Sequence, residues 1–162
     1  MISIIIPTFN RSDTVLIAIQ SILNRNIQNL EIIIIDDASQ DDTKQKIEEL
    51  NNDSITYVRN NINLGTAQSK LKGIEAASGN YIGFLDDDDI WTANEINFSD
   101  DILTNSDIIL YDFKINHLQN IVSTTYSLKD YGENFHYSVA KNIGQIFMQA
   151  CLFKKEFLIL EF

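Results

Sequence analysis

Cysteine is almost missing from this chain: Cys151 is the only one in 162 residues. That excludes an internal disulfide framework and fits a reducing compartment such as the cytoplasm. Its apolar setting reads as core packing rather than a nucleophile. Positive charge is scarce too. Twelve Lys and Arg stand against 23 Asp and Glu, a formal net charge of −11. Nonspecific nucleic-acid binding needs a basic face, so no nucleic-acid partner is expected. An anionic small molecule would itself need a mediating cation. No apolar run approaches the ~20 residues of a membrane span, so any membrane association would be peripheral, at the inner face. The opening Met1-Ile2-Ser3-Ile4-Ile5-Ile6-Pro7 is short and has no basic flank, unlike a secretion signal. His117 and His136 show no metal-ligand spacing. A G-x-G-x-x-G fingerprint is absent, which argues against a Rossmann oxidoreductase. No repeat, low-complexity tract or Pro/Gly/Ser linker marks a boundary, so residues 1–162 read as one domain.

What is present is a strong alternation in the first half. Ile2 to Ile6 is a β-branched run and reads as a strand. Ser12 and Asp13 open a helix whose apolar positions Val15, Leu16, Ile19, Ile22 and Leu23 share helical spacing. Leu30 to Ile35 reads as a second strand. Ser39 to Asp42 resembles a capping box before a helix carrying Ile47 and Leu50. Ile55 to Val58 is a third strand. Ala67, Leu71 and Ile74 mark a third helix, ended by Gly79-Asn80, and Tyr81 to Leu85 is a fourth strand. After Trp91 the pattern blurs. Helix is expected near Glu95 to Leu103, strand over Asp107 to Phe113, a hairpin over Lys114 to Tyr126 and strand over Gln145 to Phe153. Apolar strands alternating with amphipathic helices predict an α/β sandwich with a mainly parallel sheet covered on both faces.

Ligands of such sheets bind beyond the carboxyl ends of the strands. Polar clusters fall there: Thr8-Phe9-Asn10-Arg11, Asp36-Asp37-Ala38-Ser39 and Asp86-Asp87-Asp88-Asp89. Four adjacent carboxylates after an apolar strand repel one another and invite a divalent cation. Hard cations such as Mg²⁺ or Mn²⁺ take oxygen ligands and keep positions open for water or phosphate. A solvated acidic loop capping the next helix is the simpler use of the same run. A phosphoaspartate hydrolase would place a hydroxyl residue or Val where Ile90 stands. A sugar nucleotidyltransferase would need a Gly-rich basic loop where Pro7-Thr8-Phe9-Asn10 stands.

In their order and spacing, four segments resemble the family 2 glycosyltransferases. They are Ile4 to Arg11, Ile34 to Thr43, Asn63-Leu64-Gly65, and Gly79 to Asp89. The resemblance covers residues 2 to 92 and implies the GT-A fold, with 1–92 the nucleotide-sugar-binding half and 93–162 part of an acceptor-side half. It implies an inverting transferase using a nucleoside-diphosphate sugar, expected to be UDP-linked, with Mn²⁺ or Mg²⁺. The acceptor would be a saccharide or a lipid-linked sugar, in bacterial surface polysaccharide synthesis. Carried over to matching positions, Phe9 would lie against the nucleobase, with Pro7, Thr8 and Asn10 around the same pocket. Asp37 would accept the uracil imide N–H, while Asp36 has a structural role. Asp88 would ligate the metal. Asp86 would bind the metal through water or help hold the ribose, Asp87 would reach the ribose hydroxyls, and Asp89 would cap a helix. Lys70 stands where the family usually has Arg, keeping the charge but losing the planar fork.

The family's catalytic base lies in an acidic pair well downstream. Here the chain ends at Leu160-Glu161-Phe162, leaving Glu161 as the weak candidate, with Asp130 and Glu133 as substitutes. The resemblance therefore implies a chain truncated before its base, and a noncatalytic nucleotide-sugar-binding module is the other reading.

Overall fold

The structure is a computed structural model that describes residues 1–25, 27–91, 108–110 and 151–159. The described residues form β1 (Ile2–Thr8), α1 (Ser12–Leu23), β2 (Leu30–Asp36), α2 (Thr43–Glu49), β3 (Ile55–Arg59), α3 (Thr66–Ala76), β4 (Tyr81–Phe84), β5 (Ile108–Leu110), β6 (Cys151–Lys154) and α4 (Lys155–Ile159). The strands form one sheet in the order β3-β2-β1-β4-β6-β5. The first three neighbour pairs are parallel, and β6 runs antiparallel to both β4 and β5.

Strand alternation divides the core into two layers. Ile4 and Ile6 of β1 and Ile32 and Ile34 of β2 pack with Val15, Ile19 and Ile22 of α1 and Ile47 of α2. Ile5, Ile33 and Ile35 face the other way, with Ile74 of α3 and Ile82, Phe84 and Phe153. With both faces covered, the central strands carry apolar residues on both sides, hence the isoleucine runs Ile4 to Ile6 and Ile32 to Ile35. Each such side chain, fully buried, contributes about 1.5–3 kcal/mol of transfer free energy.

The expected mainly parallel α/β sheet is present, with some boundaries moved. β1 continues through Pro7 to Thr8 instead of ending at Ile6. Proline in a central strand would ordinarily lose a ladder bond. Here Ile5 O accepts from Leu85 N on the β4 side, and Thr8 O accepts from Asp37 N on the β2 side. By alternation, Pro7 faces the β4 side, where pairing has already stopped at Ile5 and Phe84. The capping box is not formed. Ser39 Oγ instead accepts from Asn10 N, and Asp41 accepts from Thr43 N ahead of α2. α3 ends at Ala76, with Ala77 extended, rather than at Gly79-Asn80. Of the two late segments expected to be extended, the described residues form strand at Ile108–Leu110 and Cys151–Lys154, the rest of both lies outside the described residues, and the short α4 was not anticipated. The expected helix at 95–103 and hairpin at 114–126 lie outside the described residues.

Gly79 serves close packing. A Cβ there would sit 2.4 Å from Ser3 Oγ, 2.8 Å from Ser3 N and 2.9 Å from Met1 O. Two of these neighbours are backbone, which moves only with β1 itself. Gly79→Ala should therefore lower stability by about 1–3 kcal/mol, the usual cost of overpacking. A urea denaturation midpoint equal to the parent's would show that β1 yields freely.

Candidate functional site

β1, β2 and β4 end on one edge of the sheet, and a cleft of about 310 Å³ opens there. Pro7, Thr8 and Phe9 line it from the end of β1, Arg11 from the entry to α1, and Asp37 from beyond β2. Thr66 and Ser69 contribute from α3, and Asp86, Asp87 and Asp88 from beyond β4. The volume is at the lower end of the range for small-molecule sites. Phe9 leaves 42% of its surface exposed. An aromatic face open to a cleft is available for stacking.

Asp36 and Asp37 are adjacent but do different work. Asp36 is wholly buried and accepts bonds from Ser39 N, Arg59 and the Tyr57 hydroxyl. Burial, and then the bond to Asp36, push the Tyr57 phenol up to about 12. Between Asp37 and Ser39, Ala38 adopts φ +70°. Left-handed backbone at a non-glycine residue costs about 1–2 kcal/mol. Asp37 is only 4% exposed. Its Oδ1 accepts from Asn60 Nδ2 at 2.7 Å and Leu64 N at 2.9 Å, and its Oδ2 accepts from Gly65 N at 2.8 Å. Burial alone would raise its pKa. The bonds from Leu64, Asn60, Gly65 and Ser69 outweigh burial and hold it below the ordinary aspartate value. Gly65 has φ +83° and ψ 162°, a conformation open essentially to glycine alone, and this turns its N–H onto the carboxylate. Asp37 thus anchors the loop leading into α3. Asn60, Leu64, Gly65 and Ser69 together take up most of the carboxylate's roughly four acceptor positions.

The acidic run is not left unneutralised. Arg11 Nη1 reaches Asp87 Oδ1 at 2.8 Å and Asp88 Oδ2 at 2.7 Å. Thr8 Oγ1 donates to Asp87 Oδ2 at 2.8 Å, so both Asp87 oxygens are engaged. Asp87, then Asp88, keep the Arg11 guanidinium more firmly protonated than usual. Lys70 Nζ lies 2.9 Å from Asp86 Oδ1 and 5.7 Å from the centre of the Phe84 ring. Asp89 is half-buried, and burial followed by Asp86 and Asp88 pushes its carboxyl up. Negative charge therefore remains in excess at this corner.

Of the residues expected at the site, Pro7, Thr8, Phe9, Asp37, Asp86, Asp87 and Asp88 come together on the cleft. Asn10 does not line it. Its backbone takes φ +52°, its N–H bonds Ser39 and its side chain accepts from Gln40 N, bracing two loops. Lys70 lies behind the wall and acts through Asp86. Glu161, Asp130 and Glu133 lie outside the described residues, as does any helix that Asp89 would cap. Arg11, Asn60, Thr66 and Ser69 were not singled out from the sequence. Arg11 carried a signal, a lone cation beside the polar clusters. Asn60 carried none, because its contact with Asp37 spans 23 residues.

Among the described residues, no group of three or more His, Cys, Asp and Glu forms a ready-made metal cage. The donor chemistry still suits a hard divalent cation. Asp86 and Asp88 present carboxylate oxygens on one open wall, which would leave most coordination positions to water and phosphate.

Several known proteins are similar to this chain in sequence or in fold. The chain matches Glycosyl transferase family 2 over residues 3–97. It is 38% identical over 96 residues to the Escherichia coli UDP-Glc:alpha-D-GlcNAc-diphosphoundecaprenol beta-1,3-glucosyltransferase WfaP, covering 59% of this chain and 38% of that protein. It is 45% identical over 91 residues to the Campylobacter jejuni GalNAc(5)-diNAcBac-PP-undecaprenol beta-1,3-glucosyltransferase, covering 54% of this chain and 29% of that one. The matched segment therefore spans well under half of these relatives. The crystal structure of S. aureus TarS 1-349 in complex with UDP-GlcNAc superposes over 99% of this chain and 47% of that one, with a TM-score of 0.77 at 17% identity. The Pyrobaculum calidifontis mannosyltransferase PcManGT, in complex with GDP-Man and Mn²⁺, shares the fold at a TM-score of 0.54 and 22% identity, over 57% of this chain and 29% of that one. The sheet, the cleft at its edge and the family match over residues 3–97 agree: the chain belongs to the family 2 glycosyltransferases and has their GT-A fold.

Proposed function

We propose that the cleft binds a UDP-sugar with a divalent cation, and that the sugar passes with inversion to a saccharide or lipid-linked acceptor in surface polysaccharide synthesis. The observation that carries this reading is the convergence of Phe9, Asp37 and the acidic run on one cleft. It is supported by two relatives, one named for UDP-Glc and both for undecaprenol-linked acceptors. The TarS complex with UDP-GlcNAc and the mannosyltransferase complex with Mn²⁺ share the fold. No described helix is long and apolar enough to cross a membrane.

In this reading Phe9 stacks on the base, and Asp37 accepts the imide N–H. Bound by Asp88 and Asp86, Mn²⁺ or Mg²⁺ would neutralise the diphosphate and stabilise its departure. Asp87 is held by Thr8 and Arg11, so contact with the ribose would fall to the second lone pair of each oxygen. A carboxylate base supplied from beyond residue 91 would take the acceptor proton.

Calorimetry with free nucleotides tests the base contact. UDP and TDP should bind about tenfold more tightly than CDP, whose ring N3 would face a carboxylate acceptor to acceptor. Tighter binding of CDP would remove Asp37 from base recognition.

A further inference from the structure

We infer that Arg11 is a resident counter-cation of the donor site, exchanged at Asp88 when a divalent metal arrives and held beside it by Asp87. The inference rests on the metal-dependent reading above. Its basis is an asymmetry between the two ion pairs made by one nitrogen. Arg11 Nη1 bridges Asp87 and Asp88 at nearly equal distances, 2.8 and 2.7 Å. The two carboxylates differ sharply in exposure. The Asp87 side chain is 8% exposed and also takes the Thr8 hydroxyl, whereas the Asp88 side chain is 56% exposed.

A buried carboxylate with a second fixed donor keeps its partner. An exposed pair in high dielectric is weak and readily replaced by a doubly charged ion. Metal binding at Asp88 should therefore open that arm and leave the Asp87 arm closed. Arg11 itself lines the cleft and has a half-exposed side chain. Once Asp88 is occupied, its guanidinium keeps free N–H groups on the cleft side, where a planar fork suits two phosphate oxygens. The residue would act as a placeholder without donor and as a positioning group for the diphosphate with it. Lys70 is a poor substitute, because it lies behind Asp86 and over Phe84.

The test uses the 162-residue chain. The guanidinium signals of its arginines are followed by nitrogen-15 NMR during a Mg²⁺ titration without nucleotide. Arg11 should shift with the binding isotherm and exchange its protons faster, while Arg25 and Arg59 stay in place. In parallel, Mn²⁺ binding is read by electron paramagnetic resonance for the parent and for Arg11→Gln. The variant should bind free Mn²⁺ about threefold more tightly, the scale of one exposed ion pair. It should bind UDP at least about tenfold more weakly at saturating Mn²⁺, the scale of one lost charge-assisted hydrogen bond. Metal binding by the parent with an unmoved Arg11 signal overturns this inference and leaves the metal reading intact. No metal binding by the parent overturns both. The NMR titration is made on the unaltered sequence, so a misfolded variant does not decide the outcome.

Discussion

Asp37→Ala should destabilise the fold by about 2–4 kcal/mol at neutral pH, because it removes the acceptor of three hydrogen bonds at once. Asn60, itself 1% exposed, would keep Ser69 Oγ, 3.2 Å from its Nδ2, and Lys72 Nζ on its Oδ1, but the loop into α3 would lose its anchor at Gly65. The loss should depend on pH. The folded-state pKa of Asp37 is depressed, so the unfolded chain takes up the proton first as pH falls. The stabilising contribution is complete above the ordinary aspartate value of ~3.9 and drains away as pH falls through the folded-state value. Urea denaturation of parent and variant at pH 7 and at pH 3.5 measures this directly. The gap between the two should be widest at pH 7 and narrower in acid. A constant gap would mean that packing, rather than the ionised carboxylate, sets the cost.

Removing divalent metal should weaken UDP binding by about 2–3 kcal/mol, on the order of a hundredfold. Three aspartates of the run face the cleft, against the single cation Arg11 on its wall. Bringing a diphosphate to that surface without a metal sets like charges against each other. Calorimetry of UDP with Mn²⁺ and with EDTA should show the difference. Asp88→Ala should cost at least ~1.4 kcal/mol in the presence of metal, a tenfold loss. The variant should keep the parent's stability, since the Asp88 side chain is 56% exposed and, among the described residues, pairs with the half-exposed Arg11. Equal UDP affinity with and without metal would leave the acidic run as a solvated loop and Arg11 as its ordinary counter-ion.

Much of this architecture was legible along the chain. The β-branched runs at Ile2 to Ile6 and Leu30 to Ile35 lack polar alternation because both sheet faces are covered, and this alone predicts a parallel arrangement. Helical spacing at Val15, Ile19 and Ile22 found the buried face of α1. Once strands and helices alternate, the topology forces the residues after each parallel strand onto one edge. Phe9, Asp37 and the acidic run could therefore be brought together before any coordinates existed.

The tertiary structure decided the rest. Periodicity reports that a position is buried but not what it touches. Nothing local pairs Arg11 with Asp87, 76 residues away, or turns Asn60 toward Asp37. The antiparallel insertion of β6 beside β4 comes from a strand that starts 67 residues past the end of β4, 151 against 84, and no local pattern fixes such a long-range pairing. Gly79 reads as a helix stop in sequence, yet its hydrogen is required by the approach of Ser3 from β1. The composition determined the charge problem, an excess of carboxylates with a net charge of −11. Only the fold decided how that problem is solved at rest, because the distance between charges is set by strand register and loop geometry rather than by order along the chain.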